Sequence, residues 1–578
     1  MTQTSQSPET TTQLQGFDEF VHTTMQDWKL PGLAIAIVKD GKIILSQGFG
    51  KRNIAQDLEV TPNTLFPIGS CTKAFTTTIM GMLVDEGKLD WDTPVKQYLP
   101  TFKMYDPYVT ERMTPRDLVT HRSGLPRHDL MWYHSTRSRQ ELFDRLQYLE
   151  PSKDFRSLWQ YQNLMYMTAG YLAGEVAGQS WEDLVQKRLF DPLGMTSSNF
   201  SVITSRQTPD FALPYGEEKD EVKEKAFYDE FQAIAPAGAI VSNVVDMSKW
   251  LLFNLNKGKH GDAQLISEAQ LTQIHTPQMV VSDPKKYTEI FYISYSLGWL
   301  VTSYRGHTMI QHGGGIDGFS ALTTLLPDDN MGIVVLTNME GCPVHSIVTF
   351  NACERLLGLE ATPWHERIKK EVAEMKTAAE KSKEQSASGR VPETHLSHAL
   401  DAYTGDFEHP GYGTLSIIRD EEQLKASFNS MVFPLTHYHY DIFEATFERF
   451  GLQAKVSFST NTKGDIDSLA IPFEPTVKEI IFKRVASKEM TEKGFLEQFV
   501  GEYEFMGRSI AIALRGEKTL IASIPGQPDY ELEPYKGTEF QLKGLAGFSL
   551  EFKKDDTGVV AEVVVTQPYG VVIAKRKM

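Results

Sequence analysis

The sequence predicts an α+β domain, an antiparallel sheet with helices packed around it and an all-helical insert, followed by two small antiparallel β-barrels. Three observations carry this reading. Strand-patterned segments stand at both ends of the first 360 residues, with helix-patterned segments between them. A Lys/Glu/Ala/Ser-rich stretch over 365–395, poor in large apolar groups, then marks a linker and a domain boundary. Beyond it the chain repeats itself: Leu400-Asp401-Ala402-Tyr403-Thr404-Gly405-Asp406-Phe407 aligns with Leu496-Glu497-Gln498-Phe499-Val500-Gly501-Glu502-Tyr503, and Ile481-Phe482-Lys483-Arg484 with Ile573-Ala574-Lys575-Arg576.

Taken in order, residues 1–15 are Thr/Gln/Ser-rich and read as a flexible tail. Phe17 to Trp28 has helical apolar spacing and stops at Pro31-Gly32. Leu33–Val38 and Lys42–Ser46 flank Asp40-Gly41, a strong hairpin signal. Ala74 to Asp85 is helix-patterned up to Gly87, and residues 88–210 are mostly helices and loops. Strand texture returns with Tyr295–Ser303, Met309–Gly313, Phe319–Leu325 and Gly332–Thr337, and Pro343–Leu357 reads as a closing helix. The expected domains are therefore 16–362, a linker over 363–396, and barrels over 397–487 and 488–578, each dense in short strands broken by Gly, Asn, Asp or Pro turns.

Composition narrows the function. At 578 residues the chain is too long for one core, and 23% charged with 41% hydrophobic residues is ordinary for a globular protein. A formal charge of −17 argues against a nucleic-acid partner, because phosphate binding needs clustered cations. Cys71, Cys342 and Cys353 are too few, and odd in number, for a disulfide framework, which fits a reducing compartment. No basic-apolar leader and no membrane-length apolar run is present, so the expected location is cytoplasmic, with no membrane partner. Nothing in the sequence calls for a cofactor, and it leaves a homo-oligomer open.

Three motifs carry chemistry. Gly69-Ser70-Cys71-Thr72-Lys73 places a hydroxyl and an amine one turn apart at the start of a helix, where the amine and the helix end favour ionisation of the hydroxyl. A bland alternative is a capping serine with a solvated lysine. Tyr161-Gln162-Asn163 offers a phenol able to relay a proton and an amide able to orient Lys73 or hold a substrate amide, against the alternative of aromatic packing beside a capping Asn. His312-Gly313-Gly314-Gly315 lies at a strand end, where glycines let a ligand approach backbone N–H groups. Its bland alternative is a glycine-rich tight turn. His437-Tyr438-His439 could set two imidazoles on one strand face, but without nearby acidic or thiol ligands no metal site is expected.

In this order, the three motifs resemble those of the serine beta-lactamase and penicillin-binding protein superfamily, most closely its class C-like, CubicO-like branch of esterases and D-aminopeptidases. Further matching stretches are His121–Pro126, Pro192-Leu193-Gly194-Met195, Ala235–Ser242 and Asp246–Trp250; the resemblance spans roughly residues 17 to 360. More weakly, the barrels look like lipocalin-like C-terminal domains. The resemblance implies an α+β beta-lactamase-like catalytic domain and acyl transfer. Ser70 is then the nucleophile and Lys73 and Tyr161 share the proton work. Asn163, His312, Gly313, Gly314 and Gly315 bind substrate or its oxyanion, the amides of Ser70 and Gly315 making the oxyanion hole. His312 stands where penicillin-recognising members carry Lys, which turns the expected substrate from beta-lactams towards a small ester, amide or peptide. An acyltransferase or beta-lactamase using the same acyl-enzyme, and a catalytically silent binding protein of the same fold, are the competing expectations.

Overall fold

The structure, a computed structural model, describes residues 12–227, 231–281, 286–447, 452–505 and 507–577. Residues 1–11 of the expected tail lie outside the described residues. The chain forms two units: Met1–Arg390 together with Phe473–Lys478, and Val391–Pro472 together with Glu479–Met578.

The first unit is built on a nine-stranded antiparallel sheet. Helix α1 (Phe17–Asp27) buries Phe17, Val21, Thr24 and Met25 at three- and four-residue spacing, and the chain then enters β1 (Gly32–Lys39). Asp40 and Gly41 both take positive φ, 50° and 74°, so Lys39 pairs with Lys42 and the hairpin continues into β2 (Lys42–Asn53) and β3 (Leu58–Glu59). This is the two-residue turn that Asp-Gly favours. After the helical insert come β4 (Met279–Val280), β5 (Ile290–Tyr295), β6 (Leu300–Tyr304), β7 (His307–Ile316), β8 (Phe319–Leu326) and β9 (Met331–Thr337). The spatial order is β4-β5-β6-β7-β8-β9-β1-β2-β3, so the two ends of the segment meet where β9 pairs with β1.

β1 is buried on both faces, as a central strand between two layers must be. On one face Leu33, Ile35 and Ile37 share a core with Phe17 and Val21 of α1 and Val344 and Val348 of α5 (Val344–Leu356). Helix α4 (Val244–Leu255) packs on β1 and β9, and its Trp250 stacks on Phe75, ring centroids 3.8 Å apart. Phe75 belongs to α2 (Thr72–Asp85), which buries nearly its whole length and packs on α3 (Asn163–Ala177).

The sequence-based strand Tyr295–Ser303 is instead two strands. The chain folds back so that Tyr295 of β5 pairs with Leu300 of β6, and Gly298 turns with φ 87°. A Cβ at Gly298 would meet Thr77 Oγ1 at 3.0 Å and the Lys73 carbonyl at 3.1 Å, so the glycine lets this turn rest on the start of α2. The charged linker begins as one 25-residue helix, α6 (Trp364–Ser388).

In the second unit, two closed eight-stranded antiparallel barrels follow one another, Gly405–His409 through Ile480–Val485 and Gly501–Phe505 through Gly570–Arg576, the first strand of each pairing with its last. Inward positions alternate along the strands, as at Leu415 and Ile417 in the first barrel, and aromatic rings including Tyr403, Phe443 and Phe458 fill its centre. Among the described residues no helix is long and apolar enough to cross a membrane.

Candidate active site

The Ser70 segment is held against the sheet by two glycines. Gly69, at φ 51°, opens a 3-10 turn, Gly69–Cys71, that leads into α2. A Cβ on Gly314 of β7 would lie 1.9 Å from the Ile68 carbonyl and 3.2 Å from the Ser70 nitrogen, and one on Gly69 would lie 2.9 Å from the Gly315 nitrogen. Only glycine fits at these two contacts, and the approach lays the backbone of Gly69 and Ser70 against that of Gly314 and Gly315. Gly315 is exposed, and a Cβ there would meet nothing within 4 Å. Gly313 lies in the same strand, one step further in.

Ser70 and Lys73 meet as their spacing requires. Lys73 Nζ lies 3.0 Å from Ser70 Oγ and donates to Asn163 Oδ1 at 2.9 Å and to the Ala237 carbonyl at 2.8 Å. The side chain is fully buried, and among the described residues it forms no ion pair. Burial holds its pKa well below the usual lysine range, and repulsion from Arg127 adds to this while Asp129 opposes it. Tyr161 donates to Ser70 Oγ at 2.6 Å, and Lys73 Nζ sits 4.7 Å from the Tyr161 ring centroid. Burial pushes the Tyr161 phenol up, so it keeps its proton at neutral pH.

Gln162, not Asn163, caps α3: its Oε1 accepts from Leu164 N at 2.6 Å. Asn163 is thereby left to orient Lys73, and its Nδ2 donates to Asp129 Oδ1 at 3.1 Å. The Gln162 N–H donates to His121 Nδ1 at 3.0 Å, which ties the segment bearing Tyr161 to the His121–Pro126 stretch.

His312 differs from its expected role. It is 4% exposed, and both ring nitrogens are engaged within the protein, Nδ1 with the Gly313 carbonyl at 2.7 Å and Nε2 with the Tyr295 hydroxyl at 3.0 Å. Burial, with repulsion from Lys73, lowers its pKa to about 3, so the ring is neutral. It fixes the end of β7 from inside and has no free ring nitrogen to offer a substrate. His437 and His439 are separated by a register shift, His437 Nε2 bonds the Tyr440 carbonyl, and no metal-binding cluster occurs among the described residues.

Three groups of the network escaped the sequence reading. The Ala237 carbonyl has no side-chain signature, although the Ala235–Ser242 stretch contains it. Asp129 accepts from Asn163, from Trp132 Nε1 at 2.9 Å and from Arg127 Nε at 2.5 Å. Arg127 lies over the Tyr161 ring, 5.1 Å from its centroid. Both lie within three residues of the end of His121–Pro126, and that nearness was the only available signal.

The sheet and helix arrangement agrees with the comparisons. The beta-lactamase family model matches residues 17–346, more than half of the chain, and the chain belongs to that family. A second model, a domain of unknown function called DUF3471, matches residues 389–484. Among relatives, unguisins hydrolase ungD' of Aspergillus campestris is 28% identical over 439 residues, 71% of this chain and 78% of the relative. Its counterpart ungD in Aspergillus violaceofuscus is 28% identical over 522 residues, 82% of this chain and 91% of the relative. Protein flp of Staphylococcus aureus is 26% identical over 344 residues, 58% of this chain and 65% of its own. The fold is also similar to that of an octameric penicillin-binding protein homologue from Pyrococcus abyssi, with a TM-score of 0.53 at 22% identity, covering 81% of this chain and all of that one. The chain is a hydrolase of the beta-lactamase family.

Proposed function

We propose that this hydrolase works through an acyl-enzyme on Ser70 and cleaves a small ester, amide or peptide. The observation that carries the reading is the set of partners around Lys73. As a free amine it has two N–H groups, and the Asn163 and Ala237 oxygens take both, which leaves the lone pair for the hydroxyl proton of Ser70 3.0 Å away. Lys73 thus acts as the base. The Ser70 oxygen attacks the substrate carbonyl carbon, and the developing oxyanion accepts from the Ser70 and Gly315 amides. Tyr161, a protonated phenol on the same oxygen, passes its proton to the leaving group and recovers one from the Lys73 ammonium. Water then enters by the same steps in reverse and releases the acid.

The unguisins hydrolases support a hydrolytic rather than a transferring fate of the acyl group. Neutral, inward-turned His312 favours uncharged acyl donors over beta-lactams, because it gives a carboxylate no Coulombic hold. The test is product analysis with a panel of p-nitrophenyl esters, aminoacyl amides and nitrocefin, with and without an added alcohol or amine. Free acid as the main product from an ester or amide is expected; preferred turnover of nitrocefin, or transfer to the added nucleophile as the main path, would contradict the reading.

A further inference from the structure

Arg127 has no part in the steps just described, yet it is placed on them. Its guanidinium carbon is 5.1 Å from the centroid of the Tyr161 ring, whose hydroxyl touches Ser70 Oγ, and Lys73 Nζ is 4.7 Å from the same centroid. An arginine and a lysine therefore share one phenol ring. Arg127 is anchored: its Nε donates to Asp129 Oδ2, and Asp129 Oδ1 accepts from Asn163, which holds Lys73. Its backbone is fixed by the next residue, whose N–H donates to Glu474 Oε2 at 3.0 Å within the same unit. The side chain is half-exposed.

We infer that Arg127 is a positioning residue of the site: its fixed guanidinium, laid on the Tyr161 ring, disfavours a second positive charge on Lys73 and so keeps that amine free to take the Ser70 proton. The inference rests on the reading of Ser70 as nucleophile and Lys73 as base.

The surrounding charges support the sign. From the 3-10 turn and α2, Lys73 faces Cys71, whose thiol is pushed up to about 11 by burial and stays neutral. From the segment after His121–Pro126 it faces Arg127 and Asp129, and the repulsion outweighs the attraction. From α3 it faces the ring of Tyr166, a buried and protonated phenol. His121 and His312 both feel Lys73 and are driven neutral, chiefly by burial, and Tyr295, also buried and protonated, joins His312 to the Tyr166 side of the site. Arg127 is thus the permanent cation acting on Lys73, and Asp129 and Glu474 are the carboxylates that act on Arg127. Removing the guanidinium both ends the repulsion and unmasks Asp129, so protonation of Lys73 becomes easier on both counts.

The test is the second-order rate of Ser70 acylation by a fluorophosphonate, measured on the full chain from about pH 5 to about pH 10 for the parent, Arg127→Gln and Arg127→Lys. The expected result is an ascending limb moved to higher pH by about one unit in Arg127→Gln, hence about tenfold slower labelling below the limb with the high-pH plateau within about twofold, and a shift at least half reversed in Arg127→Lys. Arg127→Gln limbs superimposable on the parent's, or a loss uniform across all pH, would overturn the inference while leaving Ser70 as nucleophile; a uniform loss would mark Arg127 as a packing residue only. A parent that is not labelled would overturn both.

Discussion

Lys73 in the first unit and Arg484 and Arg576 in the barrels are basic side chains drawn in from solvent and held by carbonyl oxygens, and they teach opposite lessons. Arg484 donates from Nε to the Ile466 carbonyl and from Nη2 to the Ala402 carbonyl, both at 2.6 Å, from Nη1 to the Thr404 carbonyl, and lies over the Phe407 ring, 4.6 Å from its centroid. Arg576 repeats the arrangement, reaching Val500 at 2.5 Å and Gln498 and Val560 at 3.3 Å. Each closes its barrel against the turn before the first strand, over a glycine, Gly405 or Gly501, where a Cβ would press on the guanidinium. An arginine cannot give up its proton, so these sites are purely structural. Lys73 is enclosed more deeply, fully buried where the two arginines are partly buried, but it can lose its proton, and its third partner is a hydroxyl. Enclosure makes a fixed cation into a rivet and, on the proposed mechanism, a titratable group into a base.

The largest effect should come from breaking the reactive member of this comparison. Lys73→Ala is expected to lower kcat by on the order of a thousandfold, and Tyr161→Phe by nearly as much, because the groups act as a unit on one oxygen. Steady-state turnover of an active ester checks both, and near-normal kcat in Lys73→Ala would remove it as the base. In the barrel, Arg484→Met should leave three carbonyls without their donor and cost about 3 kcal/mol of first-barrel stability, read as a lower denaturant midpoint, while fluorophosphonate labelling of the folded protein changes by less than about twofold. Arg576→Met should cost less, about 1–2 kcal/mol, since two of its three contacts are long. Equal losses at the two arginines would show that contact length does not set their worth.

Much of this was legible from residues alone, and the reasons are local. Asp40-Gly41 specifies its turn because both residues accept positive φ. Ser70 and Lys73 specify their meeting because three residues span one helical turn. The repeat announces the barrels, and its shared Arg marks the same closing contact in each. What was not legible depends on partners distant in sequence. Ala237 contributes a carbonyl, which every residue has. Asp129 and Arg127 gain their meaning from α3 and Tyr161, 30 or more residues on. His312 reads as a donor aimed at a ligand until Tyr295 and the Gly313 carbonyl are seen to occupy it. The fold-back at Gly298 was hidden because an apolar run through Tyr295–Ser303 satisfies a single strand as well as two.

The central claim is that the first unit's enclosed lysine makes Ser70 a nucleophile. Its most direct test is intact-mass and peptide mapping of the full chain after exposure to a fluorophosphonate at neutral pH. The account predicts one adduct, on the peptide carrying Ser70, and none in Ser70→Ala. An adduct formed equally in Ser70→Ala, or an unmodified parent, would contradict it.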